Sequence, residues 1–284
     1  MPRPQLRLNA SSPSIIVPVT ARDRDGLDAQ IAALHEAAAQ FRDSDGTGGR
    51  LFDLVEWRVD LYEPFLRRVA TEPGAAAAGP DSAVAGLIHL ADLLPDVPVL
   101  ATFRPRAEGG DATLSDDAYV DLIEALAASG RAAAVDVEFR HPRAARAIEA
   151  AHAHGTSVVA SNHDFDATPA ADEIVERLAE MEDMGAEVAK IAVMPRTAAD
   201  VVTLIEATER RSRAAGIPLV TMAMGALGAV TRVAGAVFGS AATFATVGHT
   251  SAPGQLPAAD VRGAMRLLDP AGGPSGPAGG PSQP

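Results

Sequence analysis

Eight short runs rich in valine, isoleucine and leucine, each followed by a stretch of helical periodicity or a loop, constrain this chain more than any other feature. The runs lie at Ser14–Thr20, Leu54–Asp60, Val97–Arg104, Ala133–Phe139, Thr156–Ser161, Glu187–Val193, Leu219–Met224 and Ala242–Val247. Between and after them, alanine-rich amphipathic stretches predict helices over Leu27–Phe41, Ser82–Leu94, Ser115–Ala128, Pro142–His154, Ala170–Met184, Ala198–Ala215 and Pro257–Leu268, with a short one near Val230–Val237. A strand-then-helix rhythm builds a parallel sheet, because parallel neighbours need a crossover and the usual crossover is a helix. Nearly continuous apolar strands fit a sheet covered on both faces. Eight such units are the number that closes a (β/α)8 barrel, the expected fold. An open doubly wound sheet is the other arrangement, but no GxGxxG follows the first run.

The expected barrel spans residues 14–268 of the 284, after an N-terminal extension over residues 1–13. Asp43–Arg50 and Thr71–Pro80 read as peripheral polar or Ala/Gly/Pro inserts. The tail over residues 269–284 is dominated by proline and glycine and is expected to be disordered. Cysteine is absent, which excludes disulfides, zinc–thiolate sites and a cysteine nucleophile. With 37 acidic and 24 basic residues the net charge is −13, a field that repels nucleic-acid backbones. Arginines converging in one pocket can still hold a small anion. The opening MPRPQLRLNASSP lacks a signal-peptide apolar run, and no apolar run approaches the roughly 20 residues of a membrane span. The expectation is a soluble, cytoplasmic protein with no nucleic-acid or membrane partner.

All but one of the 24 basic residues are arginine; the exception is Lys190. Arginine replaces lysine on most surfaces, but it neither deprotonates in proteins nor forms a Schiff base. A chain that uses arginine everywhere else and lysine once places that lysine where amine chemistry is needed, unless it survives by chance. Its neighbours are Val188, Ala189, Ile191, Ala192 and Val193, so desolvation is expected to favour the neutral amine. A neutral amine attacks a ketone, and the iminium formed acidifies the adjacent C–H bond for a nearby base.

In parallel barrels the active site lies at the carboxyl ends of the strands. Those ends carry Glu56, Arg58 and Asp60; Arg104 with Glu108 in the following loop; Asp136 and Glu138; Ser161, His163 and Asp164; Lys190; and then Arg232, Ser251 and Gln255. Ordinary structural roles remain open for several of them. Glu56, Arg58 and Asp60 could form an ion-pair layer inside the barrel, His163 could be a hydrogen-bonded core histidine, and Ser251–Gln255 could be a proline turn. Arg104 and Arg232 could be surface charges, although nearby glycines suggest backbone close to a ligand. Met222 and Met224 read as pocket lining, and the other six histidines are assigned no role.

The words EWRVD, TFRPRAEGG, SNHDF followed by TP, AKIAVMP, and FGSAATF leading to SAPGQ together resemble type I 3-dehydroquinate dehydratases. They run in order between about Ser14 and Leu268. The resemblance implies a (β/α)8 barrel, usually a homodimer, that acts in the shikimate pathway without metal or organic cofactor. It implies Lys190 as the Schiff-base lysine, His163 as general acid/base, and Glu108 as the carboxylate orienting that histidine. Arg232 is implied as the main partner of the substrate carboxylate. Glu56, Arg58, Arg104, Met222, Phe244, Ser251, Ala252 and Gln255 complete the implied substrate-binding set. Pro18, where some relatives carry serine, and the middle of AMGALGAVTR depart from the pattern.

Three other readings use the same residues. A class I aldolase of the transaldolase type would share barrel and lysine, but needs a phosphate site that SAPGQ does not obviously supply. A metal-dependent sugar isomerase would use Glu56, Asp60, Glu138 and His163. A non-catalytic ligand-binding barrel would leave the lysine, histidine and arginine set without work.

Overall fold

The computed structural model describes residues 4–42, 49–71, 80–248 and 254–268. The proline/glycine tail, most of both inserts, Ser251 and Ala252 lie outside the described residues. Eight parallel strands form: β1 (Ser14–Val19), β2 (Leu54–Arg58), β3 (Val99–Thr102), β4 (Ala134–Glu138), β5 (Ser157–Asp164), β6 (Val188–Val193), β7 (Leu219–Ala223) and β8 (Ala242–Thr246). Each falls within a few residues of an apolar run. They pair in the order β7-β6-β5-β4-β3-β2-β1-β8. The remaining seam lies between β7 and β8, where the Ala241 N–H donates to the Leu219 carbonyl (2.7 Å) and a parallel bridge joins Leu219 to Ser240. The sheet thus closes on itself as a (β/α)8 barrel. A two-residue strand, Leu256–Pro257, adds to the outer end of β8.

The helices are α1 (Arg24–Gln40), α2 (Glu63–Thr71), α3 (Asp81–Leu93), α4 (Asp116–Ala128), α5 (Ala144–Ala153), α6 (Ala171–Asp183), α7 (Ala198–Ser212), α8 (Ala229–Val233), α9 (Gly235–Phe238) and α10 (Ala258–Leu267). Helix α2 was not expected from sequence. It is only nine residues long, but Pro64 sits in its first turn, where a missing N–H breaks no helical bond, and Phe65 is buried. The expected helix near Val230–Val237 is two short ones, α8 and α9. Among the described residues no helix is long and apolar enough to cross a membrane.

Strand alternation decides what faces the barrel axis. On β2, Val55 and Trp57 pack outward in the core under the helices, and on β6 Ala189, Ile191 and Val193 do the same. The opposite parity lines the interior. Ile16, Leu54, Leu100, Ala134, Val159, Val188 and Val220 form its apolar part, against which Leu6 and Leu8 pack from the segment before β1. One step of the same parity further along the strands, the interior turns polar at Glu56, Thr102, Asp136, Ser161 and Lys190. The register Glu138↔Ser161↔Lys190 sets Ser161 beside Lys190 in the wall, with Glu138 on the next strand.

Candidate active site

Lys190 is 3% exposed and projects into the barrel from the middle of β6. Its Nζ lies 3.3 Å from Glu56 Oε1 and 3.4 Å from Asp136 Oδ2, and 4.7 Å from the centre of the Phe244 ring. The expectation of a purely apolar setting is therefore corrected. Ala189, Ile191 and Val193, adjacent in sequence, point outward, and the inward-facing neighbours across the barrel are carboxylates.

Arg104 is also interior rather than a surface charge, 4% exposed just beyond the end of β3. Its guanidinium donates to Asp136 (3.0 Å), Ser161 Oγ (3.0 Å) and Glu138, and lies 3.8 Å from Glu108. Burial opposes the ionisation of Asp136, but the Arg104 and Lys190 charges hold its carboxyl down at about 2. Glu138 goes the other way. Burial, reinforced by the Glu108 and Asp136 charges and opposed by Arg104, pushes it up to about 10. Its Oε1 accepts from Arg104, and it shares a hydrogen bond with Glu108, which requires a proton between the two carboxyls. The sequence places both Asp136 and Glu138 among the polar strand ends but gives Asp136 no role and Glu138 only that of a metal ligand. Their interior parity in the VDVE strand end is the signal for the part they take here.

His163 extends β5 past its expected end, opposite Ala192 in β6. Glu108 Oε2 accepts both the His163 backbone N–H (2.8 Å) and the ring Nδ1 (2.9 Å), and Oε1 accepts the Asn162 amide (3.2 Å). Burial opposes ionisation of Glu108, yet hydrogen bonds from His163 and Glu138 and the Arg104 charge hold it at about 2. A carboxylate can only accept, so the proton on the neutral ring belongs on Nδ1 and Nε2 keeps its lone pair. Burial, followed by the Arg104 charge, pushes His163 down to about 3 despite its bond to Glu108. At neutral pH the ring is an uncharged base.

Glycine places Glu108. A side chain at Gly110 would lie 1.7 Å from the Arg104 carbonyl, so only glycine lets this loop fold back over the end of β3. Gly110 thus approaches the protein's own backbone, whereas Gly109 lines the cavity. Asp60, fully buried, takes Arg58 through two bonds (2.8 and 2.7 Å), the Arg104 N–H (3.2 Å) and the Asp111 N–H (3.4 Å). The EWRVD word hence splits between an interior Glu56–Lys190 pair and an Arg58–Asp60 fork.

A cavity of about 160 Å³ opens at this end of the barrel, and Lys190, His163, Glu108, Glu56, Arg58, Arg104, Met222, Met224, Arg232, Phe244 and Gln255 all line it. Arg232 comes from α8 and is 2% exposed, with one guanidinium nitrogen 3.5 Å from the Phe244 carbonyl. Burial pushes its pKa down to about 10, which still leaves it charged at neutral pH. Phe165, missed from sequence, also lines the cavity. It is 41% exposed, its ring stacks 6.4 Å from that of His163, and it covers Gly109.

Glu108, Glu138 and His163 bring three donor atoms within 4.8 Å of one another, a spacing that could hold a metal ion. The Arg104 guanidinium already occupies the position of the counter-charge there, beside both Glu108 and Glu138. The donors proposed for a sugar isomerase are likewise engaged by cations, Asp60 by Arg58 and Glu56 by Lys190. The donor set does not fit a metal centre.

The fold and the site together define a (β/α)8 barrel with its polar groups gathered in a cavity at the carboxyl ends of the strands, the arrangement of a barrel enzyme. Residues 15–271 match the family model described as type I 3-dehydroquinase. The 3-dehydroquinate dehydratase of Listeria welshimeri is 42% identical over 261 residues, 90% of this chain and 93% of the relative. That of Salmonella typhimurium is 39% identical over 269 residues, 94% and 97%. The crystal structure of 3-dehydroquinate dehydratase from Geobacillus kaustophilus superposes with a TM-score of 0.78 at 35% identity, covering 90% of this chain and 91% of that one. The type I enzyme from Clostridium difficile, solved with covalently modified comenic acid, gives 0.80 at 30% identity, covering 95% and 99%. This chain belongs to the type I 3-dehydroquinase family.

Proposed function

We propose that this protein dehydrates 3-dehydroquinate to 3-dehydroshikimate in the shikimate pathway, through an imine on Lys190 with His163 as general acid and base. The observation that carries the reading is the place of the chain's only lysine. It is buried in the cavity that a neutral, carboxylate-held histidine and a buried arginine also line.

In this scheme Lys190 Nζ adds to the C3 carbonyl of the substrate and water leaves, giving an iminium. Glu56 and Asp136 lie where they stabilise that cation. His163 Nε2 removes a proton from C2, and the electron pair moves into the C2–C3 bond as the enamine forms. The protonated ring then delivers the proton to the C1 hydroxyl, which departs as water while the iminium re-forms. Hydrolysis frees Lys190 and the conjugated ketone. Arg232 holds the substrate carboxylate, a task suited to a guanidinium that burial leaves charged. Glu108 orients His163 and stabilises its imidazolium. Glu56, Arg58, Arg104, Met222, Phe244 and Gln255 complete the pocket, and the reading also assigns substrate binding to Ser251 and Ala252, which lie outside the described residues. The same reading carries a cytoplasmic homodimer.

Adding 3-dehydroquinate to the purified protein and following the near-ultraviolet absorbance of the conjugated product tests the activity. Borohydride added during turnover tests the imine. No absorbance change would remove the substrate; turnover without trapping would remove the imine.

A further inference from the structure

One charged side chain sits where the fold calls for an apolar one. The buried stripe of α6 reads Ile174, Arg177, Leu178 and Met181, and Arg177 is only 6% exposed. A buried guanidinium is costly unless its donors are engaged. Its Nη1 donates to Asn162 Oδ1 (2.8 Å) and lies 3.8 Å from Asp164, while Nη2 donates to Glu173 one turn earlier on α6. Asn162, 3% exposed, is the β5 residue between Ser161 and His163, and so has the parity opposite to theirs. Its amide joins Arg177 on one side to Glu108 on the other.

An amide has an accepting end and a donating end, and nothing in the backbone says which way it turns. Arg177 has only donors, so it fixes the oxygen toward α6. The amide nitrogen then faces Glu108 Oε1 (3.2 Å), leaving Oε2 to the His163 N–H and Nδ1. We infer that Arg177 and Asn162 act as positioning residues for the reaction: through the Asn162 amide they fix the Glu108 carboxylate, and through it hold the His163 proton on Nδ1 with Nε2 free to accept. The catalytic part of this statement rests on the assignment of His163 as the acid/base. The link it names, from the outer helix layer to the ring, stands on the contacts themselves. Without Arg177 the amide can turn its oxygen toward Glu108. Two acceptors would then face each other, and the carboxylate would leave its place above Nδ1.

The test pairs kinetics with a spectroscopic reading that does not depend on activity. Protein labelled with 15N-histidine gives the tautomer of each ring, and the His163 signals are those missing from His163→Ala. The unaltered protein should show His163 with the proton on Nδ1. Arg177→Gln and Asn162→Ala should each shift His163 toward the other tautomer. They should lower kcat by about 10- to 100-fold, the usual effect of removing a partner behind a catalytic group, with KM changed by less than about threefold. Arg177→Lys, which keeps donors but not the fork, should recover part of the loss. If Arg177→Gln does not fold, Asn162→Ala carries the test, since it leaves the pairing of Arg177 with Glu173 and Asp164 in place. An unchanged His163 tautomer with unchanged kcat in folded variants overturns the inference, as does a loss confined to melting temperature. Should His163→Ala turn over normally, the acid/base assignment fails instead, and the tautomer shift alone then decides the clamp.

Discussion

Replacing Arg232 by alanine tests how this site binds its anion, and the structure sets the size of the effect. Burial pushes the guanidinium from 12.5 down to about 10. At about 1.4 kcal/mol per pKa unit, keeping it charged in the folded protein costs on the order of 3 kcal/mol. The sign follows from proton counting. Below pH 10 both folded and unfolded chains carry the proton and the cost is present in full; it fades as pH rises from 10 toward 12.5, where the unfolded chain binds more protons. A substrate carboxylate meeting a cation already stripped of water gains what the water lost. Arg232→Ala should therefore weaken substrate binding by roughly 2–4 kcal/mol, the scale for truncating one side of a buried charge pair. That corresponds to about a 30- to 700-fold rise in KM or in the dissociation constant of product. Relief of the buried charge and loss of packing oppose each other, so the melting temperature should move little. Arg232→Lys should recover only part of the binding, having charge without the two-pronged geometry. Initial rates across substrate concentration, with product titration as a check, make the measurement. Normal KM and kcat in the alanine variant would refute the argument and move the carboxylate to Arg58 or Arg104.

Borohydride with substrate or product should add one ligand mass per chain and abolish activity, and a peptide map should place it on Lys190, the only lysine; labelling confined to the α-amino group, or an active Lys190→Arg variant, would sink the imine. His163→Ala should lose about 10²–10⁴-fold in turnover, the usual worth of a general acid/base, yet still trap product on Lys190 during long incubation. Wild-type turnover there would reduce His163 to a structural residue. Asp136, held at about 2 against an ordinary 3.8, contributes about 2 kcal/mol of stability that is complete above pH 3.8 and is lost as pH falls through 2. Asp136→Asn should thus lower the urea midpoint at pH 7, with the gap from the unaltered protein narrowing between about pH 4 and pH 2. A gap that ignores pH in that range would show that Asp136 acts by packing alone.

Deleting residues 270–284 should leave turnover and melting temperature nearly unchanged, because a segment of proline, glycine and small polar residues has too little apolar surface to offset its ordering entropy. A marked loss of either would assign the tail a contact with the barrel.

Much of this protein is determined locally and was therefore legible in its sequence. Apolar runs separated by helical periods give eight strands and their crossovers, and strand count together with parallel pairing leads to a closed barrel whose polar residues gather at one end. The single lysine singles itself out by chemistry, because arginine cannot replace an amine that must lose its proton. Helix α2 escaped because nine residues carry too little periodicity to stand out beside an insert. What only the tertiary structure decided is which charges meet. Lys190 has apolar neighbours along the chain, yet it meets Glu56 and Asp136, 134 and 54 positions away, because alternation turns Ala189 and Ile191 outward and closure of the sheet brings the carboxylates across the barrel. The same closure shifts Glu108 down and Glu138 up, although the two are the same residue type in the same cluster. Their difference comes from how Arg104, His163 and burial are shared between them. Those energies depend on distances of a few ångströms between residues far apart in the chain, and spacing along a sequence does not encode such distances.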